Sequence, residues 1–148
     1  MVAGALTTDL RIPKWSPKLS VGNAKLDEQH ITLLQLGRRL LSLVETAPYP
    51  KDQVRVALLD MVDLSCKHDA LEEQILEDNA CPTLSEHKLE HKAYRDALTG
   101  FLSGASHNIL DATVLVRVIT EWMSHHISEN DLPVREYLKM RPKAKAGR

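Results

Sequence analysis

Apolar residues recur along this chain at alternating three- and four-residue steps, in four separate runs. The first reads Leu26, His30, Leu33, Gly37, Leu40, Val44, and the second Val54, Leu58, Met61, Ser65, His68, Glu72, Ile75. The third reads Leu84, His87, His91, Tyr94, Leu98, Phe101, and the fourth Ala112, Leu115, Ile119, Trp122, His126. Such steps come close to whole turns of an α-helix, so each run lies along one helix face. Pro13 and Pro17, flanking Trp15, discourage helix in an N-terminal arm over 1–22. The first helical segment is predicted over 24–45, ending before Pro48-Tyr49-Pro50, and the second over 52–79, closed by Cys81-Pro82. The third begins at Thr83, where Thr83-Leu84-Ser85-Glu86 has the form of a capping box, and ends near Gly100 or Gly104. The fourth covers 108–131, where Leu132-Pro133 disfavours continuation, and a short helical turn over 134–140 follows. Four amphipathic segments with short connections predict an all-α fold: an antiparallel up-down four-helix bundle over 23–138. The remaining 139–148 carries Lys139, Arg141, Lys143, Lys145 and Arg148 and reads as a solvated, disordered basic tail.

Composition adds limits. A length of 148 residues suits one domain, and a hydrophobic fraction of 43% suffices for a core. Aromatics make up only 4%, which leans toward aliphatic helix packing. A net charge of −1 and a pI near 6.6 give no global attraction to nucleic acid or to an acidic membrane. No leader-like pattern opens the chain, and charges interrupt every apolar stretch before a membrane-spanning length. A cytoplasmic location with Cys66 and Cys81 as free thiols is therefore expected.

The informative feature is the set of ionisable residues on the stripes. His30, His68, Glu72, His87, His91 and His126 all face inward on the helical reading. One such histidine alone would be an ordinary core residue satisfied by a hydrogen bond. Together they are not ordinary. A buried Glu72 costs on the order of several kcal/mol unless something positive meets it, and no lysine or arginine lies on any stripe. Five converging imidazoles would repel one another if protonated. A central cation removes both difficulties. His68 and Glu72, like His87 and His91, are four residues apart and so can grip one ion. Asp131 is five residues after His126, a poor match to a regular helix, but it stands just before Leu132-Pro133, where the chain can turn it inward. The phase of the fourth stripe puts His125 on the surface, and His107 falls in the loop before that segment. Cys66 reads as a small buried thiol and not a ligand. Imidazoles with carboxylates suit iron, manganese or zinc without choosing among them.

The residues Trp15, Val21-Gly22, Asp27-Glu28-Gln29-His30, His68-Asp69-Ala70-Leu71-Glu72-Glu73, His87-Lys88-Leu89-Glu90-His91 and Trp122-Met123-Ser124-His125-His126-Ile127, followed by Asp131, resemble the hemerythrin family, specifically its single-domain bacterial members. The resemblance spans 15–138. It implies two iron ions: one held by His87, His91 and His126, the other by His30 and His68, with Glu72 and Asp131 bridging alongside an oxo or hydroxo bridge. It further implies that the ion with two histidines keeps an open position for molecular oxygen, lined by Leu33, Leu34, Trp122 and Ile127. Three positions depart from the family's common pattern: Asp69 where Phe is frequent, Cys81-Pro82 where Tyr-Pro is common, and Met123 where Leu is frequent. Asp69 either alters the surroundings of the ligands or faces solvent.

The function implied is reversible oxygen binding for transport, storage or delivery, by a monomer that could serve an oxygen-consuming enzyme, and not catalysis. Two alternatives use the same bundle. An oxygen or redox sensor would ordinarily carry an attached output domain, and the chain reads as one domain. A di-iron oxidoreductase, including the iron-sulfur repair type, would need a pocket for its substrate. The Glu-x-x-His pairs of ferritin-like oxidases are absent from the sequence. So are a nucleophile triad and a phosphate-binding glycine loop.

Overall fold

A computed structural model describes residues 11–139. Four long helices, α1 (Ala24–Val44), α2 (Lys51–Asp78), α3 (Leu84–Ser106) and α4 (Ala112–His125), account for most of it. After α4 the chain runs on through a π-helical turn (His126–Asp131) and a 3-10 turn (Leu132–Val134) into a last short helix, α5 (Arg135–Leu138). The helices pack α1 on α2, α2 on α3, α3 on α4 and α4 back on α1, closing the antiparallel bundle. Of the expected turn over 134–140 only Met140 lies outside the described residues, as do the basic tail beyond Lys139 and 1–10 of the arm.

Local chemistry accounts for the helix ends. Asn23 caps α1, its side chain accepting from the backbone N–H of Lys25 (3.1 Å) and Leu26 (3.2 Å). The same side chain donates to the Leu138 carbonyl at 3.1 Å and so ties α5 to the start of the bundle. Asp111 caps α4 through Val114 N–H at 3.1 Å, which is why that helix begins four residues later than the predicted 108. Thr83 stands at the start of α3 but makes no side-chain cap, so the expected capping box does not form. Nor does α3 end at Gly100 or Gly104. It continues to Ser106, because Gly104 serves close packing instead: a Cβ there would stand 3.4 Å from Leu110 Cα. Both α2 and α3 end on a left-handed residue, Ala80 (φ 55°) and Asn108 (φ 58°). Each is followed by a six-residue closing bond, Cys81 N–H to Leu76 O and Ile109 N–H to Gly104 O, both 2.9 Å.

The arm is more than a lead-in. Ile12 is buried in the core, and Pro17–Leu19 forms a 3-10 turn. Arg11 makes a two-pronged ion pair with Glu45 (2.8 and 2.6 Å), and Arg38 donates to the Pro13 carbonyl at 3.0 Å. Asp27 receives Ser20 Oγ (2.5 Å) and Val21 N–H (2.9 Å). Gly22 holds φ 77°, and a Cβ there would lie 2.8 Å from Lys139 Cβ, so only glycine fits.

The core has two apolar parts. One gathers Leu33, Leu34, Leu40, Leu58, Met61, Tyr94, Leu98, Ile119 and Met123 with their neighbours; the other gathers Val21, Leu26, Ile75, Leu76, Cys81, Val134 and Leu138. Along α1, α2 and α3, the polar stripe residues fall between members of the first part and members of the second, and Asp131 falls between Ile127 and Val134. The ionisable residues thus form one layer with apolar packing on either side.

Candidate metal centre

Each helix delivers its stripe histidines to that layer. His30, His68, Glu72, His87, His91, His126 and Asp131 are all buried, and Glu72 and Asp131 are wholly so. Asp131 arrives by a route the stripe pattern did not contain. A π-helical turn closes over five residues, so it sets Asp131 over His126 where a regular α-turn would not.

The two carboxylates reach in both directions. Glu72 Oε2 lies 3.3 Å from His68 Nε2, while Oε1 lies 3.1 Å from His91 Nε2. Asp131 Oδ2 lies 2.9 Å from both His30 Nε2 and His126 Nε2, while Oδ1 lies 3.6 Å from His87 Nε2. Each carboxylate therefore spans two sets of imidazoles. By nearest atoms, His126 stands with His30 and His68, its Nε2 3.2 Å from that of His68. The resemblance groups it with His87 and His91, and its ring centre is in fact almost equidistant, 5.3 Å from His68 and 5.4 Å from His91. One atom each from His30, His68, Glu72, His126 and Asp131 lies within 4.8 Å of all the others.

The contacts of the two carboxylates with the rings are close without being hydrogen bonds. Both oxygens of Glu72, both of Asp131, both nitrogens of His30 and Nε2 of His91 are buried with no hydrogen-bond partner. In a settled core such groups are paired, because leaving each unpaired costs about 1–3 kcal/mol. Here lone pairs converge on common points, which is the arrangement a cation demands. The far sides of the rings are held in place. His68 Nδ1–H donates to Gln29 Oε1 (2.9 Å), and His91 Nδ1–H to Glu73 Oε2 (2.7 Å). His87 stands between two carbonyls, its Nδ1 3.3 Å from that of Thr83 and its Nε2 3.0 Å from that of Asn130. For His68 and His91, fixing Nδ1 as the donor leaves Nε2 as the ligand atom. The residues fit a bound metal ion.

Electrostatics agree. Burial pushes the His30 imidazole below its usual value. Burial also opposes charge on His87 and His91, but Asp131 and Glu72 outweigh it and raise both to about 9. Burial and the Asp131 charge push Glu72 up, yet His68 and His91 hold it down at about 2. The layer, in other words, holds its carboxylates as anions and draws positive charge.

The apolar candidates divide. Leu33, Leu34 and Ile127 are buried in the larger part of the core. Trp122 stands directly against the site, its ring stacked on His126 at 4.0 Å and on Tyr94 at 3.9 Å. Beside it an apolar groove of about 340 Å³ opens between α3 and α4, with Tyr94, Trp122, His125 and His126 in its wall. His125 is exposed and pairs with Glu129 at 2.6 Å, and His107 is exposed at the end of α3. Cys66 corrects an expectation: it is exposed, because it lies on the outward side of α2 between Ser65 and His68. Asp69 is buried and not solvent-facing, with Arg95 Nη1 2.6 Å from its Oδ2. Gln29, Glu73 and Arg95 carried no assigned role in the sequence, whereas Asp69 stood out as a departure from the family's common pattern. For Gln29 and Glu73 the only signal is a polar residue beside an inward ligand.

Comparison with known proteins agrees with this geometry. A family model described as the hemerythrin HHE cation binding domain matches residues 21–134. A bacteriohemerythrin of Stenotrophomonas maltophilia (strain R551-3) is 24% identical over 127 residues, covering 84% of this chain and 80% of its own. No described helix is long and apolar enough to cross a membrane. With the matched region containing the entire buried layer of histidines and carboxylates, the chain belongs to the hemerythrin family.

Proposed function

We propose that this protein binds molecular oxygen reversibly at two iron ions held by His30, His68, Glu72, His87, His91, His126 and Asp131. The observation that carries this reading is the pair of buried carboxylates, each with one unpartnered oxygen toward either set of imidazoles. Two iron ions with a bridging oxygen would supply the reversible redox chemistry that oxygen binding requires. Glu72 and Asp131 would span the ions, and five imidazoles shared between two ions leave one short of a protein ligand. The protein's own contribution is to hold ligands and keep water out. Leu33, Leu34 and Ile127 belong to the dry packing on one side of the layer, and Trp122 covers His126. A dry lining slows proton delivery and hence irreversible oxidation.

Visible absorption of the iron-loaded protein tests this. Oxygen should bring up bands that vanish when oxygen is removed, over repeated cycles. A single irreversible consumption of oxygen, or turnover with added reductant, would replace the carrier reading with a di-iron oxidoreductase. One feature favours that second reading: the groove at Trp122 and His126 has room for a small organic molecule.

A further inference from the structure

Ser65 is wholly buried on α2, one turn before His68, and its Oγ has no hydrogen-bond partner. Helical hydroxyls elsewhere in the bundle satisfy themselves on the carbonyl four residues back. Thr32 does so on Glu28 (3.1 Å), Thr99 on Arg95 (2.9 Å) and Ser106 on Leu102 (3.0 Å). Ser65 makes no such bond to Met61. Thr120 Oγ1 also lacks a partner, but Thr120 is half-buried and stands one residue off the α4 stripe. A hydroxyl kept out of water and unpaired destabilises the fold, so its place calls for a partner beyond the helix that carries it.

The register of α1 against α2 says where that partner would be. From His30 the α1 stripe steps to Leu33, Gly37, Leu40 and Val44; from His68, read backwards, the α2 stripe takes the same steps to Ser65, Met61, Leu58 and Val54. The two helices pack antiparallel, and the rings of His30 and His68 are 4.6 Å apart. Ser65 therefore stands level with Leu33, one turn from both histidines, on the side of the larger apolar part that also holds Leu33 and Met61. The Tyr94 hydroxyl on that side is already committed to Met61 Sδ at 3.3 Å. Ser65 is thus an uncommitted O–H donor in an otherwise aliphatic wall beside the His30–His68 pair.

We propose, resting on the oxygen-binding reading above, that Ser65 donates a hydrogen bond to the guest held at the open position beside His30 and His68. The guests it suits are molecules or anions of two or three atoms whose outer atom accepts a hydrogen bond, oxygen and azide among them. A serine hydroxyl does not ionise near neutral pH, so it can steady negative charge on that outer atom without handing over its proton. Dry aliphatic walls make the bond count for more, because no water competes for it. Leu33 and its neighbours limit the size of the guest, and Ser65 selects it by polarity.

Azide titration of the iron-loaded, air-oxidised full chain, followed by visible absorption, tests this apart from any oxygen cycling. Ser65→Thr and Ser65→Val have nearly the same shape and differ in the hydroxyl. The threonine variant should bind azide within about threefold of wild type. The valine variant and Ser65→Ala should bind it about tenfold more weakly, having lost one hydrogen bond to an anion. Iron per chain should match wild type in Ser65→Ala, and its metal-free form should melt no lower than wild type, because the hydroxyl supports nothing in the empty bundle. Wild-type azide affinity in Ser65→Ala would overturn the proposal, as would equal affinities in the threonine and valine variants, which would mark packing alone. Loss of iron from Ser65→Ala would overturn it too, by making the hydroxyl a support for a ligand histidine. A wild-type chain that holds iron but takes up neither azide nor oxygen would instead overturn the oxygen-binding reading itself, and this inference with it.

Discussion

Gln29 and His68 sit on different helices, and Gln29 Oε1 accepts the Nδ1–H of His68 at 2.9 Å, in a site where both side chains are buried. The amide cannot ionise, so it fixes the ring's tautomer without adding a third negative charge to the layer. Gln29→Leu keeps the volume and removes the acceptor. Metal affinity, measured by competition with a chelator, should fall about 10- to 100-fold, while the helical content of the metal-free protein stays the same. Equal affinities would mean that packing alone orients His68.

Metal and fold should be coupled. Without a cation, Glu72 and Asp131 are left with unpaired oxygens in the middle of the bundle. Free metal at 100 times its dissociation constant would add about 2.7 kcal/mol, roughly 5–10 °C in melting temperature for a chain of this size. Calorimetry of chelated and iron-loaded protein checks this, and coincident melting curves would count against a metal in the core.

Adjacent histidines should behave oppositely. His126→Ala removes an imidazole whose Nε2 is 2.9 Å from Asp131 and 3.2 Å from His68 Nε2. Iron per chain should drop. His125→Ala removes an exposed ring paired only at the surface with Glu129. Its iron content should match wild type, and stability should change by less than about 0.5 kcal/mol.

Ala80 holds φ 55° at the end of α2, a conformation that glycine adopts freely and alanine does not. Ala80→Gly should stabilise the protein by about 0.5–1 kcal/mol, roughly 1–4 °C by thermal melting. Asn108 has φ 58°, but asparagine tolerates this region, so Asn108→Gly should give a smaller gain. A loss of stability in Ala80→Gly would show that the methyl group makes contacts outweighing the strain.

The four helices were legible because each stripe is long and regular; every member of the first two stripes is buried. Six of the seven proposed ligands were legible for the same reason, since a stripe fixes which way a side chain points. What the pattern did not reveal depends on relations between helices. Gln29 and Glu73 matter because α1 sits beside α2 and α2 beside α3 at one particular register. Asp69 lies one residue off its stripe, and its burial reflects the closeness of Arg95 on α3. A helix end was misjudged where glycine had a packing purpose, as at Gly104, whereas α2 ends at Asp78, one residue from the predicted 79, although Ala80 stands where glycine usually marks the end.

The wide turn from His126 to Asp131 has a consequence for chain length. On a regular helix five residues leave two side chains about 140° apart, whereas four leave them about 40° apart. A π turn is equivalent to an ordinary helix that has absorbed one inserted residue. Ser128 faces outward there. Deleting it would put the aspartate four positions after His126 on an unbroken α-helix, still facing the same way. The carboxylate is thus indifferent to the loss of one residue, because a four-residue step keeps it on the His126 face.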